Sequence, residues 1–120
     1  MRMNQRIARL LATMTALVVT LFALGGPSLA RADDLPTFRL EMNNGKLNPA
    51  RIEVPAGKRI KIEVHNTGTN AVEFESLQLR KEKVLAPGAQ SFVVIAPLQP
   101  GEYKFFDDFH QQAQGVIVAK

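Results

Sequence analysis

Apolar and polar residues alternate along most of the chain after residue 36, which is the pattern of β-strands with one buried face. The clearest stretch is residues 59–65 (RIKIEVH), where Ile60, Ile62 and Val64 alternate with polar residues. Shorter stretches of the same kind, bounded by Pro, Gly or Asn, predict further strands at residues 37–42, 51–54, 71–75, 91–95, 102–106 and 115–119.

Two segments of the pattern carry specific expectations. Residues 91–95 (SFVVI) are apolar enough to be buried on both faces, and residues 107–114 are expected to form a polar loop before the last strand. About seven or eight short strands, with turn residues every eight to twelve positions, predict a single all-β domain built as a sandwich or a barrel.

Residues 1–32 have a different character and predict a cleavable signal peptide. Three arginines precede an uncharged apolar run at residues 10–24, and the small residues Ala30 and Ala32 offer a cleavage site before Asp33. Cleavage after Ala30 is the alternative. A retained membrane anchor is the competing interpretation, but the run is shorter than the ~20 residues that span a bilayer. Both interpretations place the following domain outside the cytoplasm, and we expect it in the periplasm.

The predicted domain, residues 33–120, has no net charge, unlike the whole chain at +4. Four of the fifteen Lys and Arg side chains lie before residue 33, whereas none of the eleven Asp and Glu side chains do, so eleven of each sign remain. An excess of basic residues, which would attract a nucleic acid or an anionic membrane, is missing. We therefore expect no nucleic-acid partner and, after signal cleavage, no direct membrane insertion.

The sequence contains no cysteine, which limits the chemistry of the domain. Disulfides and thiolate metal sites are excluded, including the ligand set of blue-copper proteins. The chain also has no G-x-S-x-G motif and no second histidine placed as a base, so nucleophilic catalysis is not expected. With no Trp and one Tyr, it lacks the usual platform for sugar binding. We expect a protein that is not an enzyme.

Three segments of the domain resemble the cupredoxin fold. They are residues 48–57 (NPARIEVPAG), residues 64–68 (VHNTG), and residues 100–106 (PGEYKFF) followed by residues 115–118 (GVIV). A narrower similarity, carried by residues 73–75 (EFE) and 105–110 (FFDDFH), is to the cysteine-free cupredoxin-like domains of bacterial ferrous-iron uptake systems, of the EfeO type. The resemblance covers nearly all of residues 33–120 and implies a single Greek-key β-sandwich.

The ligands of blue-copper proteins are not retained at the positions that the resemblance aligns with them. Depending on the alignment, Val72 or Glu73 stands at the first histidine. Asp107 replaces the cysteine and Gln114 the methionine, while His110 matches the histidine of the loop. Carboxylate, imidazole and amide groups thus take the place of soft sulfur ligands, and electron transfer by a cysteine-bound copper is not carried over.

The strongest candidates for chemistry are Asp107, Asp108 and His110, which fall within one predicted loop. If the sandwich closes as in cupredoxins, the strand that carries Glu73 and Glu75 lies beside that loop, and we rank Glu73 above Glu75 as a further ligand. Carboxylate and imidazole donors suit Fe(II), Mn(II) or Cu(II), and the expected cofactor is an iron or copper ion. The alternative is that these acidic residues are solvated turn and strand residues without a metal.

Three other features have simpler interpretations. His65 ends a strand on its polar side and is expected to be exposed rather than a ligand. Met42 is expected in the core or at an edge rather than as a thioether ligand. Residues 80–83 (RKEK) predict a solvated turn or an edge strand protected by lysines, with a docking patch for a partner as the alternative.

The resemblance implies a periplasmic metal-binding accessory protein of a ferrous-iron uptake system. Such a protein would pass metal or electrons to a membrane iron permease or to a companion periplasmic iron-binding protein. The alternative is a metal-free β-sandwich that docks a periplasmic or membrane partner through its loops and residues 80–83. A third hypothesis is assistance in the oxidation of Fe(II), with copper held by oxygen and nitrogen donors.

Overall fold

The structure is a computed structural model that describes residues 34–120, which fold into β-strands joined by short turns. The strands are β1 (Thr37–Asn43), β2 (Lys46–Asn48), β3 (Arg51–Val54), β4 (Ile60–Asn66), β5 (Val72–Ser76), β6 (Lys81–Leu85), β7 (Gln90–Ile95), β8 (Gly101–Asp107) and β9 (His110–Ala119). No helix in residues 34–120 is long and apolar enough to cross a lipid bilayer. The predicted signal peptide, its cleavage sites and the alternative of a membrane anchor lie outside the described residues.

The strands form two sheets around one core. The four-stranded sheet has the order β2-β1-β4-β7, and the five-stranded sheet has the order β3-β9-β8-β5-β6. β1 pairs in parallel with β4, and β3 with β9, whereas the other pairs are antiparallel. The predicted all-β sandwich is confirmed.

β2 is the strand that the periodic pattern missed, because three residues are too few for an alternation. It pairs with β1 across a two-residue turn formed by Asn44 and Gly45. Their φ angles are 46° and 86°, the left-handed conformation that two-residue hairpins require and that Asn and Gly tolerate best. The turn residues were therefore readable from the sequence, but the strand after them was not.

The core lies between the two sheets and follows the alternation of the sequence. Every second residue of β4, beginning with Ile60, is buried. The rings of Phe74 in β5 and Phe105 in β8 stack with their centroids 5.5 Å apart, so these two strands are fixed to each other from the inside. Met42 is fully buried in the same core, which confirms its interpretation as a packing residue.

Residues 91–95 are buried on one face rather than on both, so that prediction was wrong. β7 is an edge strand of the four-stranded sheet, and only its inner residues, Val93 and Ile95, are buried in the core. Phe92 points the other way and stays 52% exposed, with the ammonium group of Lys61 5.3 Å from its ring centroid. The outer face of an antiparallel sheet can remain in water, which an apolar sequence alone does not reveal.

Residues 107–114 belong mostly to strands, so the predicted polar loop was wrong. β8 ends at Asp107 and β9 begins at His110, which leaves a turn of two residues. The register is irregular between Phe106 and Asp107. The glutamines that suggested a loop occupy exposed positions of β9, where a strand accepts polar side chains.

Residues 80–83 include the beginning of β6, at the edge of the five-stranded sheet. The prediction of an edge strand is confirmed. Lys81 and Lys83 lie on this edge, and lysines there oppose pairing with the strand of another chain.

Candidate metal centre

The pairing of β5 with β8 brings together the acidic side chains on the outer face of the five-stranded sheet. In β5 the even-numbered residues are buried, so Glu73 and Glu75 project outward and remain half-exposed. The backbone N–H of Asp108, in the turn after β8, donates to the carbonyl of Glu73 at 2.9 Å. This contact fixes the turn against β5 and places Asp108 next to both glutamates.

Glu73, Glu75 and Asp108, here called the acidic triad, are grouped closely enough to share one cation. One carboxylate oxygen of each lies within 4.8 Å of the other two, and all three side chains are half-buried. Within residues 34–120 none of the three forms an ion pair with a Lys, Arg or His side chain. Within the described part of the chain, three close carboxylates are therefore left without an ion-pair partner.

The pKa values of the two glutamates reflect this crowding. Partial burial raises the pKa of Glu73, and the negative charges of Asp108 and Glu75 raise it further. Partial burial also raises the pKa of Glu75, with additional contributions from Asp108 and from Glu82 on the neighbouring strand. Either protons or a bound cation would relieve the repulsion among these groups.

Asp107 is next to the acidic triad in sequence but has a different environment. Its side chain is 1% exposed, and its Oδ1 accepts the backbone N–H groups of Glu73 and Phe109, both at 3.0 Å. Its Oδ2 lies 2.9 Å from Nδ1 of His110, which donates to it when the imidazole carries its proton there. Asp107 thus joins β5, the turn and the start of β9, and it positions the backbone of Glu73.

His110, the first residue of β9, is held by this contact and is partly buried. The structure brings Asp107 and His110 together, as the sequence suggested, but their facing atoms bind each other. Nε2 of His110 has no hydrogen-bond partner within residues 34–120. Of the four predicted ligands, Glu73 and Asp108 belong to the acidic triad, and a ligand role for Asp107 and His110 stays a prediction.

The positions that correspond to blue-copper ligands do not fit a copper ion of that type. Val72 is a fully buried apolar residue, and both oxygens of Asp107 are engaged in hydrogen bonds. Gln114 is exposed, and its amide donates to the carbonyl of Gln111 at 3.3 Å. Among residues 34–120, the group of three donors close enough to share an ion is the acidic triad, at the outer face of the five-stranded sheet.

His65 lies on the other sheet, away from the acidic triad. Its Nε2 is 2.6 Å from Oε1 of Glu63, and its side chain is half-buried rather than exposed as expected. The alternation of β4 placed it correctly on the outer face, but the pairing with Glu63 two residues earlier was not anticipated. His65 contributes nothing to the site on the five-stranded sheet.

Glu75 is the member of the acidic triad that sequence reasoning undervalued. The signal was present, because two glutamates separated by one residue on a strand must share a face. Sequence alone did not reveal that the turn after β8 would place Asp108 beside both of them. That placement depends on the hydrogen bonds of Asp107 and Asp108 to the backbone of β5.

Comparison with known proteins agrees with the architecture. The family model described as "Cupredoxin-like domain" matches residues 13–119. The chain belongs to the cupredoxin-like family. The fold expected from the resemblance of its sequence segments is therefore confirmed.

This cupredoxin-like chain is similar to two proteins in sequence and to one solved structure in fold. It is 34% identical over 117 residues to an uncharacterised protein of Rickettsia prowazekii (strain Madrid E), a match that covers 96% of this chain and 93% of that protein. It is also 34% identical over 94 residues to the iron uptake system component EfeO of Yersinia pseudotuberculosis. That match covers 74% of this chain but 25% of EfeO, so the chain corresponds to one part of that protein.

The solved structure is a purple cupredoxin from Nitrosopumilus maritimus. It superposes with a TM-score of 0.54 at 16% sequence identity, covering 69% of this chain and 99% of the cupredoxin. At this identity the likeness concerns the fold alone. The similarity to EfeO agrees with the narrower resemblance expected from residues 73–75 and 105–110.

Proposed function

We propose that this cupredoxin-like protein binds one iron ion at the acidic triad and serves as an accessory protein of iron uptake. The observation that carries the proposal is the grouping of Glu73, Glu75 and Asp108, whose carboxylate oxygens lie within 4.8 Å of one another. None of the three forms an ion pair with another side chain of residues 34–120. Similarity to EfeO supports iron as the cargo. We further propose that the protein acts in the periplasm, after removal of residues 1–32.

The donor set favours a hard cation. Three carboxylates and no sulfur suit Fe(II), Fe(III) or Mn(II), whereas Cu(I) prefers thiolate and thioether ligands. Cu(II) accepts oxygen donors and is the main competitor among the metals expected from the sequence. Because the copper positions of the fold are taken up by the Asp107–His110 contact, we favour iron over copper.

The position of the acidic triad suits transfer of the ion better than permanent storage. All three carboxylates are half-exposed on the outer face of a sheet, so solvent or another protein could complete the coordination. An ion with open positions can exchange its remaining ligands, which is the property required of a carrier. The receiving protein in this proposal is a membrane iron permease or a companion periplasmic iron-binding protein.

Isothermal titration of the purified protein with Fe(II) under anaerobic conditions tests the proposal, with Mn(II) and Cu(II) in parallel. We expect one ion per molecule, and at least about tenfold weaker binding in Glu73→Gln and in Asp108→Asn, equivalent to ~1.4 kcal/mol each. The matched control is Glu102→Gln, which removes the same charge from the far end of β8. Its affinity for Fe(II) should stay within about twofold of the original, because distant surface charges are screened.

Two outcomes would contradict the proposal. The absence of saturable binding for every metal would favour the metal-free interaction module. Equal weakening in Glu102→Gln and Glu73→Gln would mean that the ion responds only to overall charge and has no defined site.

A further inference from the structure

Two of the most exposed large apolar side chains of the described residues flank the acidic triad. Leu77 is 71% exposed and lies in the turn after β5, two residues beyond Glu75. Val84 is 59% exposed and is the cross-strand partner of Glu73 on β6. Val84 lies on the outer face of the five-stranded sheet and Leu77 in the turn at the end of β5, and exposed apolar side chains around a polar site commonly mark a protein contact.

An open depression adjoins these residues. It has a volume of about 400 Å³ and lies between Leu77 and Phe106, with Lys104 and Gln114 also in its wall. Phe106 is the cross-strand partner of Glu75, so the depression borders the acidic triad directly. Its size accommodates a large apolar side chain of another molecule.

A second depression of about 280 Å³ shares Leu77 with the first and is lined by Glu75 and Glu82. These two glutamates are directly opposed across β5 and β6, an arrangement that destabilises a sheet through like-charge repulsion. Arg80 and Lys81 also line this depression, but neither forms an ion pair with these glutamates within residues 34–120. With the acidic triad beside it, the centre of the surface carries four carboxylates against Arg80 and Lys81 in its wall, so it is acidic on balance, and its flanks are apolar.

The edge of the sheet next to this surface discourages a different mode of contact. β6 is the edge strand, and Lys81 and Lys83 lie on it. Lysines on an edge oppose the addition of a strand from another chain. A partner is thus directed to the side chains of the face rather than to the backbone of the edge.

We infer that this outer face is a docking surface for a protein that presents a basic side chain beside an apolar one. The basic group would lie against Glu75 and Glu82, and the apolar group would enter the depression between Leu77 and Phe106. Charge complementarity selects this partner, because an acidic surface repels acidic proteins and anionic lipids. The inference holds for the metal-free protein and does not depend on the proposed iron site.

One consequence does rest on the proposed function. A basic side chain and an iron ion would neutralise the same carboxylate, so each should weaken the binding of the other. Thermodynamic linkage makes this effect reciprocal. A docking partner would then promote release of the ion at the point of contact.

Titration of the metal-free, ¹⁵N-labelled protein with three capped tripeptides tests the docking surface by NMR. The peptides are N-acetylated amides of Lys-Phe-Lys, Lys-Ser-Lys and Glu-Phe-Glu. We expect Lys-Phe-Lys to shift the amide signals of Leu77, Val84 and Phe106, and to bind about fivefold more tightly than Lys-Ser-Lys because its ring is buried. Glu-Phe-Glu should cause no saturable shifts.

Variants show whether Leu77 and Val84 cause the preference for Lys-Phe-Lys over Lys-Ser-Lys. Leu77→Ser combined with Val84→Thr should reduce the preference for Lys-Phe-Lys over Lys-Ser-Lys to less than about twofold. Phe92→Ser is the matched control, because Phe92 is a comparably exposed apolar side chain on the opposite sheet, and the preference should survive there. These substitutions lie at exposed positions, where effects on folding are small.

Several results would overturn the inference. Equal affinities for the two lysine peptides would mean that the peptides bind by unspecific charge attraction. Shifts centred on Phe92 would mean that they bind to the other sheet. Shifts of the same amides on concentrating the protein alone would identify a second copy of the chain as the occupant. If the protein binds Lys-Phe-Lys as expected but shows no saturable binding of Fe(II), only the proposed function is contradicted.

Discussion

Asp107 makes structural contacts at a position where the sequence resemblance places a metal ligand. It stands where the resemblance to blue-copper proteins places the cysteine, yet its carboxylate is buried and bound to two backbone N–H groups and one imidazole. These contacts hold together β5, the turn and β9. Both oxygens of this buried carboxylate have hydrogen-bond partners, which is the usual condition for a buried polar group, and the contacts stabilise the structure.

Replacing Asp107 by Asn should therefore destabilise the protein. The amide keeps an oxygen acceptor for the two backbone N–H groups but loses the negative charge, so the charge-assisted hydrogen bonds of the buried carboxylate become weaker. We expect the free energy of unfolding to fall by about 1–3 kcal/mol, measured by urea denaturation. Asp108→Asn, at a half-exposed neighbour, should change it by less than about 0.5 kcal/mol. Equal effects of the two substitutions would contradict this role of Asp107.

The raised pKa of Glu73 has a defined effect on stability in the absence of metal. Its cause is partial burial, followed by the charges of Asp108 and Glu75, so the folded protein holds a proton on Glu73 more tightly than the unfolded chain does. The folded state then binds more protons than the unfolded state, and stability falls as the pH rises from the ordinary glutamate pKa through the raised one. Below that window the penalty is absent, and above it the penalty is complete.

Glu73→Gln should consequently raise the melting temperature near neutral pH and leave it unchanged in acid, where the glutamate is already protonated. Thermal unfolding of the metal-free protein at both pH values provides the measurement. Glu102→Gln controls for the change in net charge. A variant that is less stable than the original near neutral pH would contradict the repulsion within the acidic triad.

At the residue scale, the sequence predicted which side chains share a face but not which of them bind each other. The alternation of β5 is enough to place Glu73 and Glu75 together, because side chains two apart on a strand point the same way. The contact between Asp107 and His110 depends on the backbone of a two-residue turn, which composition does not specify. The presence of Asp107 and His110 in one segment was therefore compatible both with a metal site and with a hydrogen bond between the two side chains.

At the scale of elements, β5 and β8 share few backbone pairs beside the acidic triad. The two strands pair at only two positions, Phe74 with Asp107 and Glu75 with Phe106. Beyond them a side chain replaces the backbone ladder: Ser76 Oγ donates to the carbonyl of Lys104 at 2.7 Å. The backbone N–H of Lys104 in turn donates to Oε1 of Gln78 at 2.7 Å, so side chains continue the contact beyond the paired positions.

Ser76→Ala removes this link. The hydroxyl is buried, so the carbonyl of Lys104 loses a partner, and we expect the free energy of unfolding to fall by about 1 kcal/mol in urea denaturation. Ser91→Ala is the matched control, because its hydroxyl forms no hydrogen bond within residues 34–120. An unchanged stability in Ser76→Ala would mean that water or the backbone replaces the hydroxyl.

The elements themselves were largely readable from the sequence because one face of most strands is buried. β4 agrees with its prediction to within one residue at each end, since its alternation is regular and its inner residues fill the core. β9 was predicted five residues too short, because the glutamines at its start gave a polar stretch that resembled a loop. Strand pairing with β8, rather than local composition, determines its beginning.

At the scale of the whole molecule, the fold is retained while the candidate site has moved. The chain keeps the two-sheet architecture of the cupredoxin-like family, but its carboxylates gather on the side of the five-stranded sheet. A fold does not specify its chemistry, and here the site must be argued from the residues that the sheet brings together. The proposed function therefore depends on where an ion binds, and membership of the family does not establish it.

The most direct test of this account is a crystal of the protein soaked with Fe(II) or Mn(II), examined by anomalous difference density. We expect one peak within coordination distance of the carboxylates of Glu73, Glu75 and Asp108. A peak at His110 with a displaced Asp107, or no peak at a saturating metal concentration, would contradict the claim that the acidic triad holds the ion.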